Sequence, residues 1–257
     1  MSQFSRLLLI ARTDFSYFFR TKWLMAVLIS LSLSDMLVTA LVLGRMISPE
    51  YFSFLVPGIV TVGLFTAATD TGRRIWLALR EGVVQYYMTL PIKTSGLVVA
   101  YIISGGLGGL VYSSALLIIA SFAVHPQNIL NAILLVPFMF VLATGIAGLA
   151  AFLASISRRG EIYWVYAQAL QVSLITISTV FYSAQTVQQY LPSPIATIAN
   201  YNPLSLTATA LRDSVFGGQL LSASILSDML STSLPLAAIG ALAYWVILRS
   251  LRLKGKP

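Results

Sequence analysis

Six long apolar stretches joined by short polar segments limit what this chain can fold into. They are Trp23–Gly44, Tyr51–Thr71, Leu97–Val124, Ile129–Ala154, Ile162–Tyr182 and Met229–Leu248, each of 20 or more residues. About 20 helical residues, rising ~1.5 Å each, cross a hydrocarbon core of roughly 30 Å. Lipid offers a backbone no hydrogen-bond partners, so each segment must satisfy its own, which a helix does. With 58% hydrophobic and 9% charged residues, this much apolar surface is best solvated by lipid. The expected fold is an all-α polytopic membrane protein of six transmembrane helices. It forms a single transmembrane domain over residues 1–257, since no segment outside the spans is long enough for a sizeable soluble core.

An even number of spans puts both termini on one side, and the basic residues say which. Arg6, Arg12, Arg20 and Lys22 precede the first span, and Arg73, Arg74, Arg80 and Lys93 separate the second from the third. Arg158 and Arg159 separate the fourth from the fifth; Arg249, Arg252, Lys254 and Lys256 follow the sixth. Fourteen of the 16 basic residues thus share a side, leaving Arg45 and Arg212 opposite. The positive-inside rule makes the crowded side cytoplasmic and predicts a multi-pass protein of the cytoplasmic membrane with both termini inside. The net charge of +8 is then a topology signal with some attraction to anionic lipid. It does not point to nucleic acid, because no cluster interleaves Lys and Arg with aromatics on a soluble domain.

Several chemistries are excluded. There is no cysteine, hence no disulfide and no thiolate site. The one histidine, His125, sits beside Pro126 in a short loop without the neighbours a metal site needs. Paired carboxylates suited to hydrolysis are missing from the spans, so the chain is not read as an enzyme.

Residues 1–22 do not resemble a signal peptide, since the apolar run behind them is too long for an h-region. Phe4, Leu7, Leu8, Ala11, Phe15 and Phe18 fall near helical spacing, which predicts an amphipathic helix lying in the cytoplasmic interface. In the third stretch, Gly105 and Gly109 form a G-x-x-x-G pattern. It admits close helix packing or, alternatively, a broken helix at a pathway. Ala143, Ala147, Ala151 and Ser155 line up every four residues as a small-residue packing stripe.

Two segments between spans stand out. Residues 184–228 are too apolar for a free loop, yet Pro192, Pro194, Pro203 and the Gly217-Gly218 pair cut them short. Short re-entrant helices in the outer leaflet are expected there, with Asn202-Pro203 opening one of them. Residues 73–91 mix charge with large apolar side chains before a terminating proline. They predict a short interfacial helix, which either docks on a cytoplasmic partner or simply lies on the membrane.

Three acidic positions bear on mechanism. Asp35 falls mid-span, where a carboxylate costs about 2.5–3.5 kcal/mol and must face protein or water. It is a substrate contact, an ion site or a hydrogen-bonded packing residue. Asp70 lies three and four residues before Arg73 and Arg74, so a local ion pair accounts for it. Arg212-Asp213 sits in the re-entrant region with functional and structural readings both open.

At this point the chain resembles the ABC-2 type transporter permeases. Phe54-Leu55-Val56-Pro57-Gly58-Ile59 is similar to that family's F-L-x-P-G entry to the second span. Arg80-Glu81-Gly82 with Thr89-Leu90-Pro91-Ile92 is similar to its cytoplasmic R-E-x-G-T-x-E-x-L-x-x-T-P signature, although Val83, Val84 and Gln85 replace the commoner Thr-Leu-Glu. Tyr201-Asn202-Pro203-Leu204-Ser205, with Arg212 and Gly217, resembles its Asn-Pro-Leu stretch before the last span. The likeness covers essentially the whole chain.

The resemblance implies a membrane subunit that works with two copies of a separate nucleotide-binding ATPase and with a second permease chain, most simply an identical one. Arg80, Glu81, Gly82, Gln85, Tyr86, Tyr87, Leu90 and Pro91 would then form the coupling helix that seats on the ATPase. Asp35, Tyr182, Asn202, Pro203 and Arg212 are candidates for the translocation path. ATP and magnesium would bind the partner, since this chain has no phosphate loop and no soluble segment to house one. Few charges and many aromatics suit a small amphipathic, drug-like or lipid-like cargo. The alternatives are a polysaccharide or lipid-linked glycan, or a self-contained secondary transporter using Asp35.

Overall fold

A computed structural model describes residues 3–20 and 51–253, the side chains of residues 3, 4, 6 and 17–19 excepted, with seven helical positions between 23 and 42. The first predicted span therefore lies outside the described residues but for those positions, and so do Asp35 and Arg45.

Every described element is helical. In order they are α1 (Gln3–Arg20), α2 (Tyr51–Arg80), α3 (Val83–Thr89), α4 (Thr94–Ala123), α5 (Ile129–Ile156) and α6 (Gly160–Gln171), the last running into a π-helical turn, Val172–Thr176. After α7 (Ala184–Tyr190), α8 (Ser193–Asn200) and α9 (Pro203–Ala210), a second π-helical turn, Leu211–Phe216, leads to α10 (Ala223–Leu253). Four helices, α2, α4, α5 and α10, are long and apolar enough to cross a membrane.

Helix α5 is the hub, packing against α2, α4 and α10. Burying a leucine between helices gains little when lipid is the alternative, so close backbone approach and dispersion must hold the bundle. The sequence supplies the small residues for this. A methyl group on Gly105 would lie 2.6 Å from the Ala147 methyl, and one on Gly109 would lie 3.1 Å from that of Ala143. Since α4 runs unbroken through both glycines, the broken-helix alternative falls and the packing reading stands. Ala143, Ala147 and Ala151 are fully buried, as the stripe predicted. By contrast α10 keeps Leu234, Leu242 and Val246 outward, an apolar face suited to lipid.

Two boundaries and one helix face differ from expectation. Helix α2 continues to Arg80, so Arg73–Arg80 belongs to it and the separate short helix is only Val83–Thr89. Nothing between Gly72 and Arg80 breaks a helix; the break comes at Gly82, whose φ of +75° suits a residue without Cβ. Helix α6 with its π turn stops at Thr176, short of the predicted Tyr182, for a reason given below. On α1 the face against α4 carries Leu7, Ile10 and Asp14, while Leu8 points outward.

The basic loops meet at one end of the bundle. Arg80 donates to the Arg158 carbonyl at 2.9 Å, and Arg252 donates to the Ile92 carbonyl at 3.1 Å.

Candidate transport and coupling sites

At the opposite end of α2, residues far apart in sequence converge on a guanidinium clasp. Arg212 leaves the second π turn and lies over the Phe54 ring, 3.8 Å from its centroid. Its Nε donates to the Phe54 carbonyl at 2.9 Å, Nη1 to the Thr179 carbonyl at 3.0 Å, and Nη2 to the Val180 carbonyl. Gly58 allows this approach: a Cβ there would sit 2.5 Å from the Val180 oxygen. Burial pulls the Arg212 guanidinium down to about 10, with Asp213 countering, so it stays charged at neutral pH. Burial also pushes the Asp213 carboxyl up, and Arg212 limits that rise.

Asn202 is the second fastener. Its side-chain oxygen accepts from the Leu204 N–H at 2.9 Å, capping α9 with Pro203 as first helical residue. Its amide nitrogen donates to the carbonyls of Leu174 and Ile177, both at 2.8 Å. This is why α6 ends early. The last carbonyls of a helix need other partners, and Asn202 and Arg212 supply them, so the chain can turn away before Tyr182. Tyr182 itself is 56% exposed and outside the clasp, although the neighbouring Phe181 carbonyl accepts from the Tyr51 hydroxyl at 2.8 Å. Asn202, Pro203 and Arg212 thus act as architecture among their described contacts, which favours the structural alternative for Arg212. The π-turn carbonyl of Ser214 is in turn held by Asn131 at 2.8 Å, at the start of α5.

The segment around α3, expected from the resemblance to be a coupling helix, has two unlike faces. Val84 is fully buried and Tyr87 packs inward, where burial raises its phenol and the Asp14 carboxylate adds to the rise. Gln85 donates back to the Leu79 carbonyl at 2.9 Å, fixing the turn. Arg80, Glu81, Tyr86 and Pro91 are exposed, Tyr86 at 61%, and Leu90 is half-buried. Arg80 also stacks over Trp76 at 4.9 Å. The eight residues named for coupling therefore divide: Gly82, Gln85, Tyr87 and Leu90 build the segment, and the others face outward.

Between α2 and α6 lies a cleft of about 220 Å³ that no single motif announces. Thr66, Thr69, Gln168 and Gln171 give it a polar stripe, Phe65 and Trp164 an aromatic wall, and the Asp70–Arg73 pair (2.6 Å) closes one end. The signal was present as helical spacing, Thr66, Thr69 and Arg73 on one helix and Trp164, Gln168 and Gln171 on the other, inside otherwise apolar stretches.

Beside it is a residue that sequence reasoning passed over. Asp14 of α1 accepts from Arg74 and, at 2.6 Å, from the Ser104 hydroxyl of α4. Arg74 also faces Asp70 at 3.5 Å. The local pair predicted for Asp70 is present, but it belongs to a larger network that ties α1 to α2 and α4. Asp70 lines the α2–α6 cleft and Arg74 a separate cavity under α3, so the network forms the wall between them.

Among the described residues no cluster of His, Asp or Glu could hold a metal. The chain matches no family model, and no curated protein matches it in sequence.

Proposed function

We propose that this chain is the permease subunit of an ATP-driven exporter of the ABC-2 type. It moves a small amphipathic cargo across the cytoplasmic membrane with two ATPase subunits and a second permease chain. In this reading the chain crosses the membrane six times, α6 and the stretch Trp23–Gly44 completing the four long helices, and α7–α9 form the outer re-entrant region. The observation that carries the reading is the clasp. Phe54, Gly58, Asn202 and Arg212 carry the family resemblance from opposite ends of the sequence, and they form one contact unit.

Two further observations support it. The α2–α6 cleft joins amide and hydroxyl groups to aromatic walls, which suits a cargo with a polar head and an apolar body. The wall it shares with the cavity beneath α3 gives a rigid path by which movement of the coupling segment could reach the cleft. Exposed Trp164 and Val165 on α6, with Val172 of the π turn after it, leave a face for the second permease chain.

The test is purification of the tagged chain from native membranes with identification of its partners. An ATPase bearing a phosphate loop should co-purify. Tyr86→Ala should weaken that association roughly thirtyfold, the effect of losing an interface hot spot of about 2 kcal/mol. Tyr87→Ala should instead lower the yield of folded chain. Purification without any ATPase, or association indifferent to Tyr86, would count against the reading.

A further inference from the structure

A second cavity, of about 210 Å³, opens beneath α3 where α1, α2 and α4 meet. Its lining includes Asp14, Arg74, Glu81, Tyr87 and Tyr101, with Ile10 on the apolar side. Its chemistry is lopsided. Arg74, the one cation lining it among the described residues, is already engaged by Asp14 and by the Thr71 hydroxyl. The acceptors are less occupied. Among the described residues the Asp14 carboxylate uses Oδ2 for both of its hydrogen bonds, and Glu81 forms no ion pair. At the inner end Tyr101, only 3% exposed as a residue, lines the cavity, and among the described residues no hydrogen bond engages its hydroxyl. A phenol this deep ordinarily has a partner, so an unpaired one lining a cavity points to something that enters.

We infer that this cavity binds a primary ammonium group, held by Glu81 at the mouth and by Oδ1 of Asp14 and the Tyr101 hydroxyl within. The charge balance selects the sign: Asp14 and Arg74 cancel, which leaves Glu81 in excess. An ammonium brings three N–H donors to a site short of donors, and the Tyr87 ring offers a face to the cation. The apolar wall at Ile10 lies on α1, the helix expected at the membrane surface, so an ethanolamine lipid headgroup fits with its chains running outward. A soluble amine shares the chemistry and is separated from it below. The site requires a membrane-embedded chain, and it stands whether or not the chain is an exporter.

The experiment uses the full chain in detergent, given equal amounts of phosphatidylethanolamine, phosphatidylcholine and phosphatidylglycerol. Retained lipid is read by native mass spectrometry. Phosphatidylethanolamine should be kept about tenfold over phosphatidylcholine, whose quaternary nitrogen has no N–H to donate, with phosphatidylglycerol weakest. Glu81→Gln and Tyr101→Phe should each erase most of that preference. Tyr101→Phe leaves the packing volume almost unchanged, so its effect reads the hydroxyl rather than the fold. In parallel, ethanolamine is titrated calorimetrically into lipid-free protein. Selective lipid retention without ethanolamine binding assigns the lipid. Ethanolamine binding that both variants abolish, without lipid preference, assigns a soluble amine. Equal retention of the three lipids with no ethanolamine binding, or a preference untouched by both variants, would overturn the proposal.

Discussion

Two arginines reach into this bundle, one toward each end of α2, and they are held in opposite ways. Arg74 is matched by carboxylates: Asp14 binds it directly and Asp70 stands 3.5 Å away. Arg212 meets no carboxylate at ion-pair distance among the described residues; three backbone carbonyls and the Phe54 ring take its charge. Phe54 and Arg74 are 20 residues apart on one helix, hence ~30 Å, so the two sites are separated by about the thickness of a hydrocarbon core. The contrast reflects what each arginine joins. Arg74 fastens helices together: it pairs with Asp14 of α1 and Asp70 of its own helix, and Ser104 of α4 joins through Asp14. Arg212 fastens irregular backbone to a helix start, and such backbone has spare carbonyls. One site is a charge balance and the other a hydrogen-bond balance, and they should fail differently.

The largest effect is expected at the charge balance. Arg74 is 4% and Asp14 14% exposed at the side chain, so Arg74→Met leaves two carboxylates in a poorly hydrated site. Breaking a buried pair from one side costs about 3–5 kcal/mol. The variant should therefore give little folded protein, as measured by yield of monodisperse chain and by thermal melting in detergent. Adding Asp14→Asn and Asp70→Asn should recover much of the loss, because the charge imbalance is gone. If the triple variant is no better than Arg74→Met, packing rather than charge governs that site.

At the clasp, Arg212→Met should cost less, about 2–4 kcal/mol, since it strands carbonyls without stranding a charge. Arg212→Lys should recover little of it. An ammonium cannot reproduce a planar fork that reaches three carbonyls and stacks on a ring. Full rescue by lysine would mean that charge alone matters there, and the contrast with Arg74 would collapse.

The two sites were also unequally legible in the sequence. The clasp residues were visible individually: Asn202-Pro203 reads as a helix start, and Arg212 is a lone cation in an apolar region. What they hold was hidden, because the carbonyls of Leu174, Thr179 and Val180 leave no mark on composition. That is also why α6 was expected to reach Tyr182. No Pro or Gly lies between Gly160 and Tyr182, and the turn is set by side chains arriving from elsewhere. Asp14 escaped for the opposite reason. An acid on an amphipathic surface helix looks solvated until two other helices place an arginine and a serine against it. The long helices α2, α4, α5 and α10 were legible throughout, since hydropathy over 20 residues needs no tertiary information.

Asn202 sharpens the comparison one step further. Asn202→Ala removes the α9 cap and frees the carbonyls at the end of α6, for a cost of about 1–3 kcal/mol. Asn202→Asp keeps the capping oxygen but loses the donor. It should restore the start of α9 and still leave the Leu174 and Ile177 carbonyls unpaired. Hydrogen exchange should then show opening around residues 174–180 in both variants, and opening at 204–206 only in the alanine variant. Equal exchange in the two would mean that cap and clasp are not separable.

The smallest effect is a pH dependence beside the clasp. Burial raises the Asp213 carboxyl above its ordinary value of 3.8, and the neighbouring guanidinium moderates the shift. A raised acid binds its proton more readily in the folded chain than in the unfolded one, so between those two values stability falls as pH rises. Compared with Asp213→Asn, the native chain should hold its full advantage below about 3.8. It should lose that advantage as pH climbs through the raised folded value and stay level beyond it. Melting both chains in detergent from about pH 4 to pH 7 measures the gap directly, because every other carboxylate is common to the two. A gap that is constant with pH would place Asp213 in water. A gap that widens in favour of the native chain at neutral pH would mean that Arg212 binds the carboxylate after all, making the clasp a charge balance like the one at Arg74.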